Sequence, residues 1–397
     1  MSSRKKHTRK PRVLNSGEVY KRAEQWLADV LEVDGLNWKW TATVIWAVVL
    51  MAAGRTMSLL AVCVQRLGKK SAHEGLCKAL RRSLPKYARV VERKLNEALC
   101  RCLPAAVRRV SRRLAIDWHL VPYHGEPQRH KKELYRSKSQ SGTTKFHAYA
   151  TACIVEKGYR YTLAYTWVQK GETQVQVLTR LLDRVRSLQI GVRVLLVDRA
   201  FFSVAVLRYL QNTGVPFVMP VVLRGRQPKD PRRTTGLRAF LKKALGWYSY
   251  TMKSVVSETT FRVCVAQRTY AHHRTKKKCK QKLLYAVWRY RATPREIRDL
   301  YRTRFGIETS YRQLKQARIR TSSRDPLLRV FLVGVALVLR NVWVWLLWCY
   351  FREEVRGQLV VHFDKLRFRQ MLDWIVREVS MSILNNDACY QTDTITR

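Results

Sequence analysis

The chain has 397 residues, 47% of them hydrophobic, which is enough for buried cores in two or three domains and excludes disorder over most of the length. It carries 77 Lys and Arg against 28 Asp and Glu, a formal net charge of +49. A charge of this size predicts a polyanionic partner, bound with an affinity that falls steeply as salt is added.

The first 110 residues divide into a basic arm and a helical region. Residues 1–16 are basic and polar, and we expect them to be disordered until they meet DNA. Residues 17–110 repeat apolar side chains at spacings of three and four, which predicts an all-helical domain. Within it, residues 58–80 resemble a helix-turn-helix with a turn at Gly68, although any helical hairpin with a glycine turn has this pattern. We expect this domain to contact DNA, mainly because of its charge.

Residues 111–222 change to strands and helices. The strand-like segments are rich in β-branched and aromatic side chains, and one is a continuous apolar run that ends at Asp198, as in a strand buried on both faces. Strands are predicted at residues 114–121, 145–155, 159–169, 192–197 and 216–222, and helices at residues 173–188 and 204–212. Three successive strands followed by alternating helices and strands predict a mixed α/β sheet.

Residues 223–292 interrupt this alternation. They are very basic and contain three strand-like segments, so we predict a β-rich insertion. These segments are residues 247–253, 260–267 and 283–289.

A helical part follows the insertion. Thr293, Pro294 and Glu296 combine a capping box with a proline at the first helical position, which predicts a helix start. We assign residues 293–379 to the second part of the domain that begins at residue 111, and residues 380–397 to a polar tail.

Two features bear on the compartment. Residues 331–350 are apolar and long enough to span a membrane, but Arg340 and Asn341 lie at the middle, where a charge is costly in a bilayer. We therefore expect a helix buried in a soluble core and no membrane partner.

The nine cysteines are scattered without a Cys-x-x-Cys pair, which predicts buried free thiols in a reducing compartment such as the cytoplasm.

Four polar side chains recur at helical spacing late in the chain. At about 100° per residue, Tyr301, Arg304, Glu308 and Lys315 would fall within roughly 60° of one another on one helix. The carboxylate could hold a metal ion, and the cations could hold the phosphates of a nucleic-acid strand. The alternative is a solvated helix whose charges form i,i+4 pairs.

Two aspartates could complete a metal site with Glu308. Asp117 lies within an apolar strand, and Asp198 ends a buried strand. Three converging carboxylates would bind hard divalent cations, and two such ions about 4 Å apart could activate water or a 3′-hydroxyl against a phosphodiester. The alternatives are that Asp117 pairs with a nearby His or Arg and that Asp198 caps the helix that follows it.

These residues together resemble the DDE transposases of bacterial insertion sequences, over residues 110–350. The resemblance rests on Ile116-Asp117-Trp118-His119, on Tyr123-His124-Gly125, on Leu-Leu-Val-Asp198-Arg-Ala-Phe-Phe-Ser, and on Tyr301-x2-Arg304-x3-Glu308-x6-Lys315. The last is the signature of one group in that family. His119 departs from the pattern, because relatives tend to carry a small polar residue there.

The resemblance implies a ribonuclease H-like catalytic core that the β-rich insertion interrupts and the helical domain precedes. It implies Asp117, Asp198 and Glu308 as catalytic ligands of two Mg²⁺ ions, with Mn²⁺ as a substitute. It also implies an enzyme that cleaves double-stranded DNA at transposon ends and joins the 3′-hydroxyls to target DNA as a homodimer in a synaptic complex. Such a protein has no small-molecule substrate and would be nucleoid-associated in a prokaryotic cytoplasm.

The predicted DNA contacts are residues near these motifs. By resemblance, Tyr301, Arg304 and Lys315 would contact phosphates of the transposon end. Arg199 and Lys145 are further candidates from their positions near the aspartate motifs. If the excised end passes through a hairpin, Trp288 or Trp247 could hold a flipped base; either tryptophan could instead belong to the core.

Two other functions use the same fold. A domesticated protein would bind DNA without cleaving it, and a metal-dependent nuclease would cleave without joining. The presence of all three carboxylates favours the transposase.

Overall fold

The structure is a computed structural model that describes residues 13–35, 37, 39–67, 71–128, 130–156, 158–225, 234–271, 277–356 and 358–382. Most of the predicted basic arm, most of the polar tail and the turn of the predicted helix-turn-helix at Gly68 lie outside these residues. The chain forms two compact units, and each is described by itself.

The first unit is mainly helical. It combines residues within Met1–Arg101 with Gln313–Ser323 and Leu327–Arg397. Side-chain caps start two of its helices: Asn15 accepts a hydrogen bond from the backbone N–H of Glu18, and Thr41 accepts one from Val44. Its helices are α1 (Ser16–Ala28), α2 (Ala42–Arg55), α3 (Leu59–Leu67), α4 (Ser71–Ser83), α5 (Ala88–Cys100), nearly all of α11 (Pro326–Tyr350) and α12 (Phe368–Ser382). A small hairpin of β10 (Arg352–Val355) and β11 (Gln358–Val361) separates the last two helices.

Helix α11 is apolar around its whole circumference. It is the one helix, among the residues that the structure describes, whose length and composition would allow it to cross a membrane. However, 94% of its most apolar window is buried, as in the core helix of a soluble protein. The polar residues at its middle are satisfied inside the unit: Arg340 donates to Oε1 of Gln313 at 3.2 Å, and Asn341 donates to the carbonyl of Leu99 at 2.9 Å.

The second unit, Cys102–Arg312 with Arg324–Pro326, contains a nine-stranded mixed sheet. Its order is β2-β3-β1-β5-β6-β9-β8-β7, and β4 pairs with β3. Strands β1, β5 and β6 are parallel, and the other neighbours are antiparallel. The strands are β1 (Arg112–Pro122), β2 (Tyr135–Gln140), β3 (Thr143–Ile154), β4 (Thr162–Val168), β5 (Val192–Val197), β6 (Phe217–Pro220), β7 (Gly246–Lys253), β8 (Glu258–Ala271) and β9 (Lys278–Trp288).

Helices cover this sheet and position the residues at its centre. Capping boxes start α7 at Thr173 and α9 at Thr293, the latter with Pro294 at its first position as predicted. One core cluster packs α9 and α10 against the sheet and includes Ala115, Leu196, Ile297, Ile307 and Tyr311. The helices are α6 (Ala105–Arg108), α7 (Gln174–Ser187), α8 (Val204–Asn212), α9 (Pro294–Arg302) and the greater part of α10 (Phe305–Gln316).

The predicted mixed α/β sheet is confirmed, with two differences. Strand β2 and the β10–β11 hairpin were not predicted. The three predicted insertion strands correspond to β7, β8 and β9, and they extend the central sheet because β9 pairs with β6.

The compact units also divide the chain differently from the predicted domains. The helices after residue 326 were assigned to the catalytic part, yet they belong to the same unit as α1–α5. The apolar surface of α11 is the physical reason, because in that unit Gly334 lies against Leu95 of α5. The functional boundaries stay a prediction.

The single helix predicted from Tyr301 to Lys315 is wrong. Helix α9 ends at Arg302, a turn covers Thr303 and Arg304, and α10 begins at Phe305. The backbone bonds across the turn run between residues three apart, from Thr303 to Leu300 and from Arg304 to Tyr301. The Thr303 hydroxyl also donates to the Leu300 carbonyl at 2.6 Å, which competes with regular helical bonding.

Candidate active site

Two neighbouring parallel strands place the predicted aspartates side by side. Ile116 of β1 is in register with Val197 of β5, so Asp117 and Asp198 follow at matching positions. Asp117 is fixed further because its Oδ1 accepts the backbone N–H of Trp118 at 2.8 Å. Both carboxylates therefore lie at the carboxyl end of β5, where an open α/β sheet commonly binds ligands.

The guanidinium of Arg304 joins these aspartates to Glu308. Its Nη1 lies 3.0 Å from Oδ2 of Asp117, and its Nη2 lies 3.3 Å from Oδ2 of Asp198 and 3.1 Å from Oε1 of Glu308. Arg304 is only 6% exposed, whereas the side chain of Glu308 is 47% exposed. Three acids from two strands and one helix thus converge on one buried cation.

Burial sets the protonation of this cluster. It raises the pKa of Asp117, while Arg304 and the Trp118 N–H oppose the rise and Asp198 adds to it. Burial alone would lower the pKa of Arg304, but Tyr301 and the three carboxylates raise it above its ordinary value. The guanidinium is therefore held firmly in its charged form.

Both alternatives left open for the aspartates occur in the structure together with the convergence. Asp117 pairs with an arginine, Arg304. Asp198 caps a short 3₁₀ turn, because its Oδ1 accepts the backbone N–H of Ala200 at 3.1 Å, and α8 has its own cap at Ser203. These structural roles leave other carboxylate oxygens of both residues facing the guanidinium.

The donor set suits a hard divalent cation in charge and chemistry. Three carboxylates against one guanidinium leave an excess of two negative charges when all groups are ionised, and carboxylate oxygens are the ligands that Mg²⁺ prefers. In the described part of the chain, no group of three His, Cys, Asp or Glu is arranged to hold a metal ion as it stands. In the structure the three carboxylates meet around Arg304, and their binding of metal ions stays a prediction.

Tyr311 is a site residue that the sequence reasoning missed. Its buried hydroxyl donates to the backbone carbonyl of Asp117 at 2.8 Å and lies 2.8 Å from Oγ1 of Thr151. Its ring stacks on His119, with centroids 5.0 Å apart. It comes three residues after Glu308 on α10, so it ties the helix of the glutamate to the strand of the aspartate. From the sequence, a tyrosine on the apolar side of a helix predicts only a residue packed in the core.

We expect Tyr311→Phe to destabilise the second unit by about 1–3 kcal/mol, because it leaves the buried carbonyl of Asp117 without this donor and the buried hydroxyl of Thr151 without this acceptor. Tyr301→Phe is the matched control: Tyr301 is also buried, but its hydroxyl reaches the Val197 carbonyl only at a long 3.4 Å. Urea unfolding of both variants measures the difference. Equal losses of stability would contradict the role given to Tyr311.

The other residues of the predicted signature lie in different settings. Tyr301 is 9% exposed and packs on Tyr285, with ring centroids 5.3 Å apart. Lys315 is exposed in the last turn of α10, two turns after Glu308. Nη1 and Nη2 of Arg304 are engaged by the three carboxylates, and its predicted contact with a phosphate stays a prediction.

The remaining predicted DNA contacts are dispersed. Arg199 is exposed directly after Asp198. Lys145 on β3 is ion-paired with Glu126. Trp288 is half-buried at the end of β9, where it stacks on Phe217 and Arg289 lies 4.5 Å from its ring centre. Their contacts with DNA stay a prediction.

A basic and aromatic cavity of about 680 Å³ adjoins the cluster. Arg199, which follows Asp198 in the chain, lines it, and so does Tyr301, whose ring centre lies 5.6 Å from Cζ of Arg304. Four further side chains give it a positive and partly aromatic wall: Arg268, Lys282, Tyr285 and Arg298. A strand of phosphates with unstacked bases has the matching chemistry.

None of the cysteines that the structure describes forms a disulfide bond. Five are buried and three are half-buried. The buried ones are Cys63, Cys77, Cys100, Cys153 and Cys264.

Comparison with known proteins assigns the chain to a family. The family model that matches is described as "Transposase DDE domain" and covers residues 108–341. A solved structure, "Cryo-EM structure of piggyBac transposase synaptic complex with hairpin DNA (SNHP)", has a similar fold, with a TM-score of 0.56 and 12% identity over 94% of this chain and 81% of that chain. No curated protein matches the chain. Because the family match spans more than half of the chain and includes Asp117, Asp198 and Glu308, the chain belongs to the transposase DDE domain family.

Proposed function

We propose that this protein is a DNA transposase that cleaves at transposon ends and joins the resulting 3′-hydroxyls to target DNA. The observation that carries the proposal is the convergence of Asp117, Asp198 and Glu308 on Arg304 in a chain with a net charge of +49. Family membership supports it. The mixed sheet, with β1, β5 and β6 parallel, supports a ribonuclease H-like core as the scaffold.

Asp117, Asp198 and Glu308 would hold two Mg²⁺ ions, and Mn²⁺ would substitute. When bound, the ions supply Lewis-acid activation of water or a 3′-hydroxyl and offset charge on the phosphodiester. Arg304 holds the three carboxylates in one place before any ligand arrives, and Tyr311 fixes the backbone of Asp117. In cleavage, water attacks phosphorus and the bond between phosphorus and the 3′-oxygen breaks, which leaves a 5′-phosphate and a free 3′-hydroxyl. In joining, that 3′-hydroxyl attacks the phosphorus of a target phosphodiester and displaces the target strand's own 3′-oxygen, which leaves as a 3′-hydroxyl.

The 680 Å³ cavity would receive the strand next to the cleaved bond, since Arg199 and Tyr301 lie on its wall. Lys315, Lys145 and Trp288 stay candidates for contacts further along the DNA. The similar piggyBac structure is a synaptic complex with hairpin DNA. By analogy we propose a homodimer that holds two DNA ends, with hairpin formation as one excision route.

Inverted repeats that flank the reading frame would supply the substrate for a direct test. We expect the purified protein to nick a duplex that contains such an end when Mg²⁺ is present, and to join a pre-cut end with a free 3′-hydroxyl to plasmid DNA. Omission of Mg²⁺ should abolish both reactions. Nicking without joining would identify a nuclease, and binding without nicking would identify a non-catalytic protein; either result rules out the transposase.

A further inference from the structure

A second cavity, of about 760 Å³, lies in the second unit at the starts of β1 and β5. Four arginines line it from separate segments of the chain, and Ser111, Thr303 and Thr309 also line it. The arginines are Arg113 on β1, Arg160 before β4, Arg193 on β5 and Arg302 at the end of α9.

The charge of this cavity is not balanced by its own acids. Glu156 is the one carboxylate on the wall, and it is already paired with Arg112 at 2.8 Å and accepts the backbone N–H of Arg113 at 2.8 Å. Among the described residues, no carboxylate forms an ion pair with Arg113, Arg193 or Arg302. Gathering like charges around one space costs free energy, and a bound anion would offset that cost.

Arg160 adds a partly buried charge to the same space. A Cβ at Gly306 would lie 3.4 Å from its Nε, so the guanidinium packs directly on the backbone at the start of α10. Burial lowers the pKa of Arg160, because its charge has lost part of its hydration. An anion in the cavity would offset part of this desolvation cost.

The cavity does not include the carboxylate cluster. It shares Arg302 and Phe305 with the 680 Å³ cavity, but none of the three carboxylates and not Arg304 lies on its wall. Arg113 and Asp117 lie on the same face of β1, because they are four residues apart with Ala115 of the core cluster between them. Their Cα atoms are therefore about 13 Å apart, which corresponds to the rise of roughly four base pairs along a duplex. Carboxylates repel phosphates, so anion binding is more favourable here than beside Arg304.

We propose that the cavity lined by Arg113, Arg160, Arg193 and Arg302 binds backbone phosphates of the DNA, a few nucleotides from the bond that the carboxylate cluster acts on. This inference rests on the proposed function. The planar fork of an arginine matches two phosphate oxygens at once, and the volume is in the range that encloses a nucleotide-sized ligand. The net charge of +49 favours a nucleic acid over a small anion as the occupant.

The test measures duplex binding by fluorescence anisotropy over a series of salt concentrations. The first variant combines Arg113→Ala with Arg193→Ala. Both residues line the 760 Å³ cavity, and neither lines the 680 Å³ cavity. Arg193→Ala alone is a second variant, because its exposed side chain can be removed without disturbing the core. The control is Arg208→Ala with Arg295→Ala, two exposed arginines on α8 and α9 that line neither cavity.

We expect the slope of log affinity against log salt to fall by about one unit for each phosphate contact that is lost, and to stay unchanged in the control. Equal slopes for the wild type, the double variant and the control would overturn the proposal while leaving the transposase function intact. No duplex binding by the wild type would overturn both.

A second arm identifies the source of the phosphate. Calorimetry with inorganic pyrophosphate at constant ionic strength measures a free anion in the cavity. Pyrophosphate binding that depends on Arg113 and Arg193, with an unchanged DNA slope, would make the cavity a small-anion site and overturn the DNA assignment.

Discussion

Asp198→Asn is expected to reduce strand cleavage by at least about a thousandfold and to leave duplex binding close to that of the wild type. The asparagine oxygen can still accept the backbone N–H of Ala200, so the turn after β5 keeps its cap. What is lost is one of the three negative charges that would hold the metal ions. Metal ligation contributes several kcal/mol of transition-state stabilisation, and each 1.36 kcal/mol is a factor of ten in rate.

Asp183→Asn is the matched control for this substitution. Asp183 is an exposed residue of α7 that pairs with Arg186 at 2.9 Å, away from the cluster. Single-turnover nicking with saturating protein separates chemistry from binding, and thermal unfolding checks that both variants are folded. If Asp198→Asn nicked DNA at the wild-type rate, Asp198 would have no part in catalysis and the assignment of the three carboxylates would be wrong.

Strong local signals explain which parts of the fold the sequence predicts. The apolar run of β5 and the helix α8 have the bounds that their patterns indicate, because turn and capping residues flank them closely. Strand β2 gives no such signal: its residues are mostly exposed, and its pairing with β3 holds it in place. Tertiary context rather than propensity decides such an edge strand.

The site shows the same limit. The sequence identifies the three acids, since each stands out in an apolar or helical setting. It does not reveal that Arg304 lies among them, because the contact with Asp117 joins residues 187 positions apart. The helix break at Thr303 also depends on a side-chain hydrogen bond that periodicity cannot show. Charge and the family resemblance therefore predicted that Arg304 contacts a phosphate. In the structure its guanidinium contacts the three carboxylates.

The consequence of that placement is that Arg304→Ala should destabilise the second unit by about 3 kcal/mol at neutral pH. Removing one partner of a buried ion pair leaves the other charge uncompensated, typically at a cost of about 3–5 kcal/mol. The lower end applies because the side chains of Asp198 and Glu308 are 31% and 47% exposed and keep part of their hydration. Arg312→Ala is the control, an exposed arginine on α10, the helix that follows Arg304.

The loss of stability caused by Arg304→Ala should become smaller as the pH falls. Burial already raises the pKa of Asp117, and Arg304 opposes that rise, so its removal raises this pKa further. A carboxyl group whose folded pKa is raised binds a proton more tightly in the folded protein than in the unfolded chain, so stability is gained as the pH drops through the folded pKa toward the unfolded value. Urea unfolding at neutral and mildly acidic pH should therefore show a smaller difference between variant and wild type at the lower pH.

The same variant separates two roles for this arginine. If Arg304 contacts a DNA phosphate, its loss should lower the salt slope of binding by about one unit and leave the unfolding free energy nearly unchanged. If it holds the three carboxylates together, stability should fall and the slope should stay the same. The three ion pairs of 3.0, 3.3 and 3.1 Å and the 6% exposure of Arg304 favour the second outcome. Unchanged stability would show that the carboxylates do not depend on this cation.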